Sequence, residues 1–289
     1  MFDQPVQFQD VGDAEMAFRR VGAGPTLVFV HGWPLSSTTW VKLVPLLAPY
    51  CTCVLIDQAG AGETRARAGT DFNFRGQARR LNAFLQAQSI EHAHILAQDT
   101  GATVARYAAL AGGERIASLV LINTEIPGHR PPFIELFQKM MRIPGSAALF
   151  RVLLRSPTFV ASSMGFGGCF TDRSRLDADF HARTIQPLLD SPQRMAGIVS
   201  YLLGIDWGMV DDLAEGHGRI QAPVLLVWGE DDPTFPIERA RSMVAQFADC
   251  RGLRPVPKAS LLAHEEQPAL VAEHALAFFR EIGALGGSD

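Results

Sequence analysis

The chain has 289 residues, enough for one large domain or two modest ones. Hydrophobic residues make up 47% and charged residues 19%, and the net charge is −4 with Lys and Arg scattered, which argues against nucleic acid as a partner. No apolar run is long enough to span a bilayer, and the amino terminus has no signal-peptide pattern, so we expect a cytoplasmic protein without a membrane partner. The sequence leaves the oligomeric state open.

Strands and helices alternate along most of the chain. An antiparallel hairpin that turns at Gly12-Asp13 is predicted first. Continuous apolar runs, typical of buried strands, occur at 26–30, 51–56, 94–97, 118–122 and 224–228. Helices are predicted over 37–47, 75–87, 103–111 and 268–282. This order predicts an α/β fold with a mainly parallel central sheet and helices on both faces.

The alternation stops between residues 127 and 218, which are rich in Phe, Met, Arg and Gly. Here we predict a helical lid inserted into a core made of residues 1–126 and 219–289. A lid over the carboxyl ends of parallel strands would close a mostly apolar pocket. The alternative is a helical decoration without a gating role.

Residues 97–101 read A-Q-D-T-G, between a predicted strand and a predicted helix. A strand, a tight turn and a helix form a nucleophile elbow, from which Asp99 would project in a strained conformation. Ala97 and Gly101 are small where the strand and the helix crowd together. The simpler interpretation is that Asp99 is a helix N-cap. A second motif, H-G-W-P at 31–34, follows the first buried strand and favours the elbow.

Together these motifs resemble the α/β-hydrolase superfamily, in the branch with an Asp nucleophile that holds haloalkane dehalogenases, haloacetate dehalogenases and epoxide hydrolases. The resemblance covers nearly the whole chain. It implies a small apolar substrate of the haloalkane, haloacid or epoxide class, attack by Asp99 and an alkyl-enzyme ester. The backbone N–H groups of Trp33 and Thr100 would form the oxyanion hole, and His31 would shape the loop.

Features of the individual subfamilies match only in part. The indole of Trp33 is a candidate halide donor, and Trp207 in the predicted lid is a candidate second donor. Tyr201 is the one lid tyrosine that could protonate an opening epoxide. Arg106 is the arginine near the nucleophile that a haloacid carboxylate would need.

The histidine that activates water in this superfamily is missing from its usual place. The segment 259–268 reads A-S-L-L-A-H-E-E-Q-P, so Leu261 occupies the histidine position and His264 lies three residues later. His264 is a candidate relocated base. Asp232, after a buried strand, ranks first as the carboxylate that would orient a histidine, and Glu125 second. Their simpler interpretations are a turn-forming Asp and a solvated Glu.

Three functions therefore stay open. The first is a hydrolase that uses Asp99 as nucleophile. The second is a lyase, isomerase or cyclase that uses Asp99 as acid or base, and the third is a pseudo-hydrolase without a base that binds or traps a ligand. The sequence has neither a metal-binding cluster nor a dinucleotide-binding glycine pattern, so we expect no metal and no cofactor.

Overall fold

The computed structural model describes residues 4–285. Residues 1–3 and 286–289, which the sequence assigns to the core, lie outside the described residues. Within the described range, no helix is both long and apolar enough to cross a membrane.

One mixed sheet runs through the molecule. Its strands are β1 (Gln7–Asp10), β2 (Ala14–Val21), β3 (Thr26–Val30), β4 (Thr52–Ile56), β5 (Arg65–Ala66), β6 (Ala93–Gln98), β7 (Ile116–Ile122), β8 (Val224–Gly229) and β9 (Cys250–Val256). The strand order is β1-β2-β4-β3-β6-β7-β8-β9, with β5 paired to β2. β2 is antiparallel to its neighbours β1, β4 and β5, and the strands β4, β3, β6, β7, β8 and β9 pair in parallel in that order. The prediction of a hairpin leading into a mainly parallel sheet is confirmed.

The helices lie between the strands and after them. The α-helices are α1 (Val44–Leu47), α2 (Phe74–Ala87), α3 (Thr100–Gly112), α4 (Pro132–Met141), α5 (Ser146–Leu153), α6 (Pro157–Val160), α7 (Ala178–Phe180), α8 (Gln186–Asp190), α9 (Pro192–Gly204), α10 (Trp207–Gly216), α11 (Ile237–Ala240), α12 (Ala263–Glu266) and α13 (Pro268–Glu281). Short 3₁₀ helices cover Ser37–Lys42, Gly113–Arg115, Arg173–Arg175, His217–Arg219 and Arg241–Met243, and His181–Ile185 forms a π-helical turn. The helix predicted over 37–47 is therefore divided into a 3₁₀ turn and α1.

Both faces of the sheet are covered by apolar side chains. Successive residues of a strand point to opposite faces. Val28 and Val30 belong to the apolar cluster on the side of α2 and α3, whereas Leu27 and Phe29 belong to the cluster that includes α1 and α13. Burial on both faces explains why these strands read as continuous apolar runs.

Helices α4 to α10 lie between β7 and β8 and are called the insertion below. The insertion contacts the carboxyl ends of β3 and β6 through polar groups. The indole N–H of Trp33 donates to the carbonyl of Ile198 at 2.7 Å, and the Tyr201 hydroxyl donates to Thr100 Oγ1 at 3.1 Å. The insertion therefore lies over the carboxyl ends of these strands, where the candidate site is found.

Candidate active site

Asp99 lies at a sharp turn between β6 and α3. Its φ of +51° is in the left-handed region, which a residue other than glycine rarely adopts. Its backbone N–H lies 2.9 Å from the carbonyl oxygen of Asn123, which ties the turn to the end of β7. A Cβ on Gly101 would lie 2.3 Å from the carbonyl oxygen of His31, so a larger residue would not fit. This is the backbone geometry of a nucleophile elbow.

Two backbone N–H groups hold the Asp99 carboxylate. The N–H of Trp33 lies 3.0 Å from Asp99 Oδ2 and 2.9 Å from Thr100 Oγ1, and the N–H of Thr100 also bonds the carboxylate. The loop approaches so closely that a Cβ on Gly32 would lie 2.4 Å from the Cβ of Asp99. Both donors expected from the sequence are thus directed at the Asp99 carboxylate.

The environment of Asp99 favours its protonated form. Burial raises the pKa of the carboxyl well above its ordinary value of 3.8, and the negative charge of Glu125 raises it further. The hydrogen bonds from the Thr100 and Trp33 amides act in the opposite direction, and Asp232 adds a smaller increase. Removing a negative charge near Asp99 would therefore lower its pKa and release the carboxylate.

A cavity of about 100 Å³ opens beside Asp99. Its polar lining includes Asp99, Thr100 and Glu125, and its apolar lining includes Leu261. Aromatic rings from the insertion and the core close it: Phe133, Phe137, Phe150, Phe166, Trp207 and Phe235. The volume and lining fit a small apolar molecule.

Glu125 follows β7 and lines the same cavity, with 2% of its surface exposed. Its Oε2 accepts hydrogen bonds from Thr103 Oγ1 at 2.6 Å and Thr124 Oγ1 at 2.9 Å. The guanidinium of Arg106 lies 4.0 Å from the same oxygen and donates to the carbonyl of Glu125 at 3.0 Å. The solvated Glu of the simpler interpretation is therefore wrong, because these groups bury and orient the carboxylate.

Asp232 follows β8 and does not belong to the cavity lining. Its Oδ1 caps a turn by accepting from the N–H groups of Thr234 and Phe235, and its Oδ2 accepts from Asn123 Nδ2 at 2.8 Å. Burial raises the pKa of Asp232 to about 6, although these hydrogen bonds lower it in part. The carboxylate occupies the turn expected from the simpler interpretation while lying close enough to influence Asp99.

Leu261 lines the cavity at the place where the superfamily pattern has histidine. Its loop is held firmly in position. The Leu262 N–H donates to the carbonyl of Cys169 at 3.1 Å, the side chain of Gln98 lies 3.3 Å from the Leu261 carbonyl, and Glu266 Oε2 accepts from the Ser260 N–H at 2.7 Å. The apolar side chain of Leu261 therefore faces the site without a titratable group.

The structure corrects the hypothesis that His264 is a relocated base. His264 lies in α12, is fully buried and is not part of the cavity lining. Its Nε2 lies 2.7 Å from Thr39 Oγ1, and its ring packs 4.5 Å from that of Trp40. Burial lowers the pKa of His264 to about 3, and the positive charges of Arg183 and Lys42 add to this. The three-residue shift turns the imidazole into the core on the other side of its loop.

His264→Ala should lower the free energy of unfolding by about 2–4 kcal/mol, because it leaves a cavity in the buried core, while the Thr39 hydroxyl keeps Glu265 as its acceptor. It should leave the chemistry at Asp99 unchanged. Denaturant unfolding measures the first effect, and the rate of covalent labelling by a haloalkane measures the second. A fall in the labelling rate without a fall in stability would instead return His264 to the reaction.

Several side chains that the sequence assigns to substrate are already engaged in the protein. The indole N–H of Trp33 donates to the Ile198 carbonyl, so Trp33 is not a free halide donor. Trp207 does line the cavity, but its indole N–H donates to Gln138 Oε1 at 3.2 Å. Tyr201 is fully buried and does not reach the lining, since its hydroxyl donates to Thr100.

Two further residues near the site have structural roles. His31 is buried, with Nε2 accepting from the Gln58 N–H at 3.0 Å and Nδ1 2.9 Å from the Gly32 carbonyl, as expected for a residue that shapes the loop. Arg106 is also fully buried, and its guanidinium lies 2.6 Å from Thr103 Oγ1 and 3.2 Å from His217 Nε2. These contacts leave Arg106 no position from which to bind a substrate carboxylate.

Cys169 is a site residue that the sequence did not reveal. It lines the cavity, and burial raises the pKa of its thiol, with Asp232 and Asp99 contributing. A neutral thiol is a poor nucleophile. Only its position directly after the glycine-rich stretch 165–168 could have pointed to it; its carbonyl accepts from the Leu262 N–H of the Leu261 loop. Across residues 4–285, no group of three or more His, Cys, Asp or Glu side chains is arranged to hold a metal ion.

The fold and the elbow together define an α/β-hydrolase. A family model described as the alpha/beta hydrolase fold matches residues 25–259, and the chain belongs to that family.

Curated relatives include enzymes of more than one kind. A haloalkane dehalogenase of Mesorhizobium japonicum is 33% identical over 141 residues, which cover 46% of this chain and 45% of that enzyme, so the chain matches less than half of its length. A pimeloyl-[acyl-carrier protein] methyl ester esterase of Aeromonas hydrophila is 29% identical over 90% of this chain and 98% of that enzyme. The solved epoxide hydrolase CorEH has a TM-score of 0.80 at 18% identity, over 96% of this chain and 99% of that one, which shows the shared fold.

Proposed function

We propose that the protein is a hydrolase that acts on a small apolar substrate through covalent attack by Asp99. The observation that carries the proposal is the Asp99 carboxylate, held at the elbow by the Trp33 and Thr100 amides beside an apolar cavity. With Oδ2 bonded to the Trp33 amide, Oδ1 is the oxygen assigned to the attack. Since an ionised carboxylate needs no base to become nucleophilic, the first step does not require the missing histidine.

In this step, an Oδ1–carbon bond forms at an sp³ carbon while the bond to the leaving group breaks, and the leaving group departs with the electron pair. The product is an ester between Asp99 and the substrate carbon. Its carbonyl oxygen, derived from Oδ2, already lies at the Trp33 amide. When water attacks the ester carbon, the negative charge develops on this oxygen, where preorganised N–H donors are most effective.

Among the three substrate classes, the surroundings favour haloalkanes. A haloacid needs a free cation near the nucleophile, and Arg106 is engaged by Thr103, Thr124 and Glu125. An epoxide needs an acid at the opening oxygen, and the Tyr201 hydroxyl donates to Thr100 outside the cavity. A halide needs only weak donors, and Trp207 can offer one when a halide replaces Gln138 as its acceptor. Haloalkane dehalogenases among the sequence relatives support the same choice.

The insertion would act as the lid of this site. The rings of Phe133, Phe137 and Phe150 form one side of the cavity. Phe137 stacks on Phe133 at a centroid distance of 6.0 Å and contacts Phe150 edge-to-face at 5.0 Å. Excluding water from the cavity strengthens the interaction of the amides with developing charge. We take residues 127–218, the range predicted from the sequence, as this lid.

A second function is favoured by the raised pKa of Asp99 and by Leu261 in the histidine position. An aspartic acid whose pKa is raised by burial and by a neighbouring negative charge can act as general acid or base in a lyase, isomerase or cyclase reaction. In that case product forms without any covalent intermediate. The absence of an adduct during turnover separates this function from the nucleophilic one.

The test is a time course of the intact-protein mass after mixing with short haloalkanes, haloacids and epoxides. We expect an alkyl adduct with haloalkanes, because the second step lacks an imidazole and the ester accumulates. The labelling rate should rise with pH as Asp99 ionises, over a range displaced upwards from the ordinary carboxyl range by burial, Glu125 and Asp232. Product without an adduct would indicate acid or base catalysis, and neither adduct nor product would indicate a binding protein.

A further inference from the structure

We infer that Glu125 is itself the general base that activates water against the Asp99 ester, in place of a histidine. The inference rests on the proposed alkyl-enzyme ester. In the histidine-dependent arrangement, a carboxylate at this position would stand behind an imidazole and orient it. Here the histidine position is Leu261, and Glu125 itself lines the cavity.

The surroundings of Glu125 leave one oxygen for this role. The hydroxyls of Thr103 and Thr124 both donate to Oε2, and the guanidinium of Arg106 lies 4.0 Å from the same oxygen. Oε1 accepts no hydrogen bond from the part of the chain that the structure describes. It is also not one of the fully buried polar atoms that lack a partner, so it keeps some exposed surface. It is therefore the oxygen that a water molecule in the cavity can reach.

Glu125 is also fixed relative to the ester. The Thr124 hydroxyl lies 2.9 Å from both Glu125 Oε2 and the carbonyl oxygen of Asp99. The nucleophile and the base are thus joined through one side chain at the ends of neighbouring parallel strands, β6 and β7. Positioning of this kind is a large part of what a general base contributes.

In this step Glu125 acts on the water molecule that hydrolyses the Asp99 ester. The oxygen of the water molecule bonds to Asp99 Cγ while Glu125 Oε1 takes its proton, and the tetrahedral oxyanion is held by the Trp33 and Thr100 amides. Collapse breaks the bond to the alkyl oxygen, which takes the proton from Glu125 and leaves as the alcohol. Asp99 is left as a carboxylic acid that carries the second proton of the water molecule, and it returns to a carboxylate by releasing this proton to solvent. Asp232 is less suited to this role, because its carboxylate lies outside the lining and caps the turn at Thr234.

The experiment measures formation and hydrolysis of the Asp99 ester separately in Glu125→Gln. Glutamine keeps the shape of the side chain, and its oxygen can still accept hydrogen bonds from the threonine hydroxyls. Protein is labelled with a short haloalkane, the excess is removed, and the adduct mass is followed. We expect labelling to proceed at the wild-type rate or faster, because loss of the Glu125 charge lowers the pKa of Asp99 and favours its ionised form. Decay of the ester should slow by about 10²-fold, the usual scale of general-base help.

A second readout is chemical rescue by azide, a small nucleophile with no proton to lose. Azide should accelerate ester decay in Glu125→Gln more than in the wild type, and a purely structural role would not produce this difference. Ester decay equal to that of the wild type would overturn the inference, as would slow decay that azide does not restore. If the wild-type protein forms no adduct at all, the proposed function itself fails, and this outcome is distinct from both.

Discussion

Asp99→Asn should abolish covalent labelling and at the same time raise the free energy of unfolding at neutral and alkaline pH. Labelling is lost because an amide oxygen is too weak a nucleophile to displace the leaving group from an sp³ carbon. The asparagine carbonyl still accepts from the Trp33 amide, so the elbow is kept. The change therefore removes the chemistry and preserves the shape of the site.

The gain in stability follows from the raised pKa of Asp99. Burial and the Glu125 charge raise this pKa in the folded state, so the folded protein holds a proton that the unfolded chain releases near its ordinary value of 3.8. As pH rises above that value, the stability contributed by this proton is lost, and the loss is complete above the folded-state pKa. Asparagine does not titrate, so the free energy of unfolding of the Asp99→Asn protein, relative to that of the wild type, should increase with pH. Denaturant unfolding at several pH values measures it, and a variant that loses stability at every pH would contradict this account of the site.

Leu261→His should speed the release of the alkyl group by about 10²–10⁴-fold, the usual contribution of a general base. The side chain at this position borders the cavity beside Asp99, and the loop backbone is held by Cys169 and Gln98. Asp231 N–H donates to the Ala259 carbonyl at 3.0 Å, so the turn that carries Asp232 adjoins the same loop. The ester should no longer accumulate, and the alcohol should appear in its place.

Leu261→Asn is the matched control, since it adds a polar side chain of similar size without a base, and its ester should decay at the wild-type rate. The gain from Leu261→His should also fall below about pH 6, because Asp232 has a pKa of about 6 and then no longer offers a charge to orient the imidazole. The comparison is made by following the decay of the adduct mass after removal of excess haloalkane. A folded Leu261→His protein whose ester persists would show that the geometry of the loop does not serve hydrolysis.

The sheet could be predicted from sequence where burial on both faces leaves a continuous apolar run, as in β3 and β8. β9 (Cys250–Val256) was not predicted, because it pairs with β8 alone and its side chains are mostly half-buried or exposed. Its residues include Gly252 and Pro255, which are uncommon within strands. An edge strand of this composition lacks the pattern that identifies a buried one.

At the candidate site, local sequence predicted the elbow and the amide donors, because those depend on residues within a few positions of Asp99 and Trp33. The orientation of His264 could not be predicted in the same way. It depends on a loop path fixed by distant partners such as Thr39 and Cys169. The same holds for the Trp33 indole, whose acceptor at Ile198 lies in the insertion.

The measurement that tests the central claim most directly is localisation of the alkyl group by peptide mass mapping after haloalkane labelling. The account predicts an alkali-labile ester on Asp99, because this carboxylate has both the amide contacts and access to the cavity. Cys169 lines the same cavity and gives a clear alternative, an alkali-stable thioether. An ester at Asp99 would establish the nucleophile, whereas a thioether at Cys169, or a label elsewhere, would contradict it.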